Sequence, residues 1–211
     1  KREWYIGTLP NARTVAIPHT WNIEDSNQTH YGWAWYQKKI NVPATYKNKQ
    51  TVIEFGAINH TAHIYLNGIK VAENIGDGFS KFKIDLTGKF KIGTENVLTV
   101  AVNNDFGKNK IPFGNSFDWP NDGGMIRKVK MIVTNLVAPQ EIFVTPTLHK
   151  DSSATVRIRL PFNKAILEKK YAGLKGKLKL NIQIAPELDQ YKRLHDQSNL
   201  TVHELARMHM T

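Results

Sequence analysis

"HIYLNGIKVAE" occupies residues 63–73. In an extended chain successive side chains point to opposite faces. Ile64 and Leu66 then share one face, with His63 and Tyr65 on the other. Asn67-Gly68 follows, and a second run of the same kind begins after it. A type I′ turn needs positive φ at both central residues, which Asn-Gly supplies at little steric cost, so the stretch predicts a β-hairpin. The same period of two recurs in "TVIEFGAI" (51–58), "NVLTVAVNN" (96–104), "RKVKMIVTN" (127–135) and "ATVRIRLPF" (154–162). In the third of these, Val129, Met131 and Val133 form one face. Gly, Pro, Asn and Asp punctuate the runs. Short strands at close spacing with turn signals between them predict an all-β chain built as a β-sandwich. Only the closing stretch, "TVHELARMHMT", reads as a short helix.

The strands before about residue 136 suffice for one complete sandwich. "LVAPQEIFVTPTL" (136–148) carries two prolines and reads as a linker running into a new strand. After it come "ATVRIRLPF", "KLKLNIQIAP" and "NLTVHEL". Three or four strands are too few to close an immunoglobulin-like sandwich, which takes about seven. Two domains are therefore expected, at 1–136 and 137–211, the second small, irregular or incomplete.

Composition narrows the chemistry. The chain has 211 residues and no cysteine, so disulfides, thiolate metal sites and cysteine nucleophiles are excluded. The compartment stays open on these grounds, with a periplasmic or secreted location favoured over a cytoplasmic one. The net charge of +11 raises nucleic acid or an anionic surface as a partner. The basic residues are densest in "EKKYAGLKGKLKL" (168–180), where Leu178 and Leu180 alternate with Lys177 and Lys179. That pattern reads as a strand with a solvated lysine face, which also discourages edge pairing. No nucleic-acid motif accompanies it, and neither nucleic acid nor a membrane is expected as a partner. No stretch approaches the roughly 18–20 apolar residues that span a bilayer. The chain opens at Lys1 without a leader pattern.

Several catalytic and metal motifs fail. His60 and His63 are three apart, which on a strand sends them to opposite faces and disfavours a shared metal. "HELARMH" (203–209) begins like a zinc-protease helix, but Arg207 stands where the second histidine is required. "GDG" (76–78) lacks the rest of a dinucleotide loop. "DWPNDGG" (118–124) has Pro120 at a calcium-loop ligand position that needs Asp or Asn. No catalytic residue, metal site or cofactor is expected from motifs.

Three stretches, in order, carry a resemblance. They are "VAIPHTWN" (15–22), "YGWAWYQKKINVP" (31–43) with the strands through "GTENVLTVAVNN" (93–104), and "DWPNDGGMIRKVKMIV" (118–133). Together they resemble the N-terminal sugar-binding jelly-roll domain of glycoside hydrolase family 2, over about residues 4–135. The resemblance implies a galactose-binding-like jelly-roll sandwich, then an immunoglobulin-like sandwich, then a (β/α)8 barrel. Residues from about 137 resemble the start of the second sandwich, here cut short. A barrel takes about 250 residues, for which these 211 have no room. Retaining glycosidases use two carboxylates about 5–5.5 Å apart, and in this family both come from the barrel. The family's acid/base glutamate follows an asparagine, and no Asn-Glu dipeptide occurs here. The resemblance thus implies a non-catalytic front region of a β-galactosidase-like enzyme, inactive alone, with the barrel of the same parent as a partner. Family members often assemble, so a homo-oligomer is compatible with it.

In relatives an Asp nine residues before the Arg of the "GG-hydrophobic-hydrophobic-Arg" element contacts sugar hydroxyls. Counting back from Arg127 gives Asp118, and an ionised carboxylate suits such contacts because it accepts several charge-assisted hydrogen bonds. The bland alternative is a turn-capping Asp before Trp-Pro. Trp119 is the second candidate for substrate binding, with Phe117 and Phe113 near it; each either stacks on a sugar or anchors the loop. Arg127 is expected to tie the loop down through its five donors. Trp21, Trp33, Trp35 and Tyr36 are read as packing rather than a carbohydrate platform. The loop "IEDSNQTHY" (23–31) also reaches toward the site, with no residue assigned. The alternative function is a stand-alone carbohydrate-binding module. The accessory reading predicts no measurable affinity of the isolated chain for free galactose, because half a pocket buries too little ligand.

Overall fold

The computed structural model describes residues 4–24, 26–107, 120–139 and 141–162, and the backbone of 201–204 and 207–210. The chain divides into two compact units. The first holds residues 1–47, 51–133 and 201–211; the second holds 48–50 and 134–200.

The first unit is a β-sandwich. Its strands in chain order are β1 (Arg13–Ala16), β2 (His19–Thr20), β3 (Trp33–Val42), β4 (Lys49–Phe55), β5 (Thr61–Leu66), β6 (Ile69–Asn74), β7 (Phe82–Asp85), β8 (Thr94–Asn103), β9 (Gly124–Met125) and β10 (Val129–Asn135). The 63–73 hairpin forms as predicted, with β5 and β6 joined by Asn67 at φ 51° and Gly68 at φ 82°. Asn67 Oδ1 also accepts from Val97 N at 2.9 Å, which ties the turn to β8.

Two further strands, β13 (Thr201–Glu204) and β14 (Arg207–Met210), lie in the closing stretch that the sequence reads as a helix. One sheet has the order β1-β14-β3-β8-β5-β6 and the other β13-β10-β4-β7. These two segments are extended instead, pairing with β10, β1 and β3. Strand edges offer rows of unpaired N–H and C=O groups, and pairing there outweighs the weak local helical preference.

The core lies between the sheets. Ile53 and Phe55 of β4, Ile64 of β5, Leu98, Val100 and Val102 of β8, and Val129, Met131 and Val133 of β10 are all buried in one cluster. Burying each such side chain is worth about 1.5–3 kcal/mol, and the strict alternation delivers one residue in two to this layer. The outer face of the first sheet is covered differently. Tyr5 stacks on Tyr65 with ring centroids 4.6 Å apart, and Gln37 Nε2 donates to Gly7 O at 2.6 Å. An N-terminal strap thus crosses that face.

In the second unit the described residues form the hairpin β11 (Phe143–Leu148) and β12 (Ala154–Arg159). "ATVRIRLPF" therefore supplies a strand, as its alternation predicts. The lysine-rich stretch 168–180 and "KLKLNIQIAP" lie outside the described residues.

Candidate functional site

The ends of β3, β5 and β8 gather at the segment 120–125. Four buried asparagines do the fastening. Asn104 Nδ2 donates to Asn121 O at 2.8 Å and to Asn22 Oδ1 at 3.1 Å. The Asn121 amide donates back to Asn104 O. Asn121 Oδ1 receives His60 Nε2 at 2.7 Å and Asn59 Nδ2 at 3.2 Å. Asn59 Nδ2 also donates to Asp122 O at 2.7 Å. Asn22 Oδ1 accepts from Gly123 N at 2.8 Å, while its Nδ2 reaches the carbonyls of Asn27, Gln28 and His30 at 3.1–3.3 Å. The carboxamide suits this work because it donates and accepts at once, so one side chain satisfies backbone groups on two loops. The loops 23–31 and 120–124 are held by the same residues.

The glycines explain themselves by contact. A Cβ on Gly123 would fall 2.1 Å from Trp21 Cζ2, and one on Gly124, at φ +141°, 2.3 Å from His19 O. The turn needs these positions bare so that the chain can lie against Trp21 and β2.

A second network braces the neighbouring side. His19 Nδ1 lies 2.9 Å from the Tyr36 hydroxyl and its Nε2 lies 3.1 Å from Glu24 Oε1. Glu24 Oε2 is bonded by Arg13 and by Asn27 Nδ2. The hydrogen bond from Arg13 holds the Glu24 carboxyl down at about 2, against desolvation and with help from His19 and Asn27. Burial pushes the Tyr36 hydroxyl well above its ordinary range, against a hydrogen bond from the Met125 backbone.

Beside the fastened loop is a cleft of about 380 Å³ lined by Thr20, Asn59, Phe79, Pro120, Asp122 and Ile126. Phe79 is 38% exposed and stands nearly perpendicular to the His60 ring, with centroids 5.9 Å apart. No hydrogen bond or ion pair engages the Asp122 carboxylate among the described residues; only its backbone carbonyl is bonded.

The expected site residues Asp118 and Trp119, with Phe113 and Phe117, lie outside the described residues. Arg127 is exposed, and its guanidinium makes no hydrogen bond or ion pair with the described residues. The asparagines, not Arg127, fasten the segment; Arg127 leaves the chain over Gly56, where a Cβ would come within 2.7 Å of its own Cβ. The aromatics divide. Trp21 and Tyr36 are buried in the core, whereas Trp33 is 44% exposed on the outer face, 5.1 Å from the His63 ring. His60 is buried just before β5, and His63 lies half-buried on β5 beside Glu73. "GDG" forms a turn in which Asp77 Oδ1 accepts from Ser80 N at 3.1 Å. Sequence reasoning missed the asparagine cluster and the cleft. Its signal is the recurrence of Asn at strand ends, at 22, 59, 103, 104 and 121.

Known proteins resemble this chain in sequence and in fold. The sequence model of the sugar binding domain of glycosyl hydrolases family 2 matches residues 1–134. A β-glucuronidase of Formosa agariphila is 35% identical over 133 residues, covering 55% of this chain and 14% of that protein. A β-galactosidase of Thermoanaerobacter pseudethanolicus is 30% identical over 154 residues, covering 72% of this chain and 20% of that protein. Among solved structures, a β-glucuronidase of an uncultured Clostridium sp. superposes with a TM-score of 0.68 at 29% identity, over 77% of this chain and 30% of that one. The chain thus spans less than a third of the length of these relatives. The match over residues 1–134, together with the sandwich it describes, places this chain in glycosyl hydrolases family 2, with the sugar binding domain of that family at its N-terminal side.

Proposed function

We propose that the chain is the non-catalytic N-terminal region of a retaining glycosidase acting on β-glycosides, with residues 1–136 as the sugar-binding domain, to which β13 and β14 add two strands, and the residues from 137 as the start of an immunoglobulin-like sandwich. In this reading Asp118 completes the sugar pocket of a barrel that the 211 residues do not contain, and Trp119 flanks it. The observation that supports it is the fastening of Asn121, three residues after Asp118, to Asn104, Asn59 and His60. A carboxylate that orients a sugar ring must stand on backbone that does not yield, because misplacement forfeits most of its value. The relatives include both β-glucuronidases and a β-galactosidase, and the accessory role accommodates either sugar.

The test is a chimera in which this chain replaces the corresponding region of the Thermoanaerobacter β-galactosidase. Asp118→Asn is expected to lower kcat/KM by about tenfold to a hundredfold, the range of one charge-assisted hydrogen bond, with the melting temperature unchanged. An unchanged kcat/KM in an active chimera would overturn the role of Asp118.

A further inference from the structure

We propose that β13 and β14 of one copy fill the same places in a second copy, so that two chains exchange these strands and form a dimer. The inference goes beyond the functional reading above and does not depend on it.

The sheet order carries the argument. β14 lies between β1 and β3. It pairs with β1 from Arg13↔Met210 to Ala16↔Arg207, and with β3 at His209↔Gln37 and Met210↔Tyr36. Among the described residues β1 pairs with no other strand, so it is joined to its sheet only through β14. β13, just before it in the chain, adds to the other sheet at β10, from Lys130↔Glu204 to Val133↔Thr201. One short segment therefore closes both sheets. Without it β3 and β10 would each present an open edge, whose N–H and C=O groups need partners.

Nothing in these pairings requires donor and acceptor to be one molecule. β10 ends at Asn135 and β13 begins at Thr201, so residues 136–200 connect them. A connection of that length holds the strands at their slot with an effective concentration below the millimolar level of short linkers. A second copy at about 0.3 mM competes with it. The exchanged dimer keeps every strand pair of the closed monomer, so its formation costs association entropy and little else.

The register selects this occupant over an unrelated extended peptide. In "RMHM" (207–210) the two methionines stand opposite Val15 and Tyr36, both buried in the core. A slip of one residue would bring Arg207 or His209 opposite Val15. A second copy carries the same four residues in the same alternation.

The chain has no cysteine, so introduced ones report without ambiguity. Thr14 and His209 are opposite each other, at a Cα separation that a disulfide spans in either kind of antiparallel pair. The experiment places Thr14→Cys and His209→Cys in separate 211-residue chains, mixes them at about 0.3 mM until the dimer fraction is constant, and oxidises them. A covalent heterodimer is expected at a yield at least threefold above that of Thr14→Cys mixed with Lys150→Cys, a position in the second unit. The double variant Thr14→Cys/His209→Cys, kept dilute, is expected to link within itself. A heterodimer yield equal to the control overturns the proposal. So does a double variant that never links internally, since β14 then does not occupy the slot. Light scattering on the unsubstituted chain decides the matter even where a variant fails to fold. A monomer is expected when the chain is dilute, with a dimer fraction that grows toward 0.3 mM. The isolated dimer is expected to outlast dilution by minutes or more, because its return to monomer opens all the exchanged pairs. A chain that stays monomeric at that concentration overturns the proposal, as does a dimer that separates at once, which is the behaviour of surface association.

Discussion

Asn104 and Asn121 bond each other reciprocally: the side chain of each donates to the backbone carbonyl of the other. Both are essentially inaccessible to solvent, at 0% and 1% exposure. Buried amides left without partners carry a desolvation cost of about 1–3 kcal/mol each. Asn104→Ala and Asn121→Ala are each expected to destabilise the chain by about that much. The double variant is expected to cost clearly less than the sum, because either change alone breaks the same pair. Urea unfolding of the two single variants and the double variant checks this.

Gly123 lies against the Trp21 ring. Gly123→Ala is expected to destabilise by about 1–3 kcal/mol, the usual cost of overpacking a closed site, because neither the ring nor Asn104 Cβ can retreat freely. Thermal unfolding measures the cost. Near-ultraviolet circular dichroism, which reports the Trp environment, should change with it.

The Tyr36 hydroxyl stands between His19 Nδ1 and the Met125 backbone. Tyr36→Phe keeps the ring in the core but leaves both groups without that partner. A loss of about 1–3 kcal/mol is expected, with little change in the denaturant slope because the buried apolar area is kept. A stability equal to the parent chain's would show that the hydroxyl is dispensable.

The stability should depend on acid through Glu24. Arg13, His19 and Asn27 all face its carboxylate, and its folded pKa of about 2 lies below the ordinary value of 4.5. A carboxyl depressed on folding binds fewer protons in the folded state, so its contribution is complete above pH 4.5. That contribution is lost as the pH falls from 4.5 toward 2. Glu24→Gln is expected to be less stable than the parent at pH 6 and to show a shallower decline over this window. Melting temperatures taken at half-unit pH steps provide the comparison.

Much of the sandwich was legible because its signals are local. The Asn67-Gly68 turn and the alternation of Val129, Met131 and Val133 depend on adjacent residues, and the structure shows both. The extended state of 201–204 and 207–210 was not legible, because strand pairing with β1, β3 and β10 is set by partners more than 65 residues away in the chain. The asparagine cluster was hidden for the same reason. Asn22, Asn59, Asn104 and Asn121 each look like turn residues in isolation, and only the fold brings their amides together. Arg127 misled in the opposite direction: five donors suggest a clamp, yet the side chain emerges over Gly56 into solvent. Asp122 is inconspicuous within Asn-Asp-Gly-Gly because nothing in its neighbours shows that a cleft opens beside it.

The central claim is that this chain serves a glycosidase without performing the hydrolysis. The most direct measurement is release of p-nitrophenol from the β-galactoside and β-glucuronide by the purified 211-residue chain. The account predicts no release above the buffer rate at any pH from 4 to 8, since the sequence lacks the Asn-Glu dipeptide of the family's acid/base. Turnover that copurifies with the chain and is abolished by substituting one of its own carboxylates would contradict it.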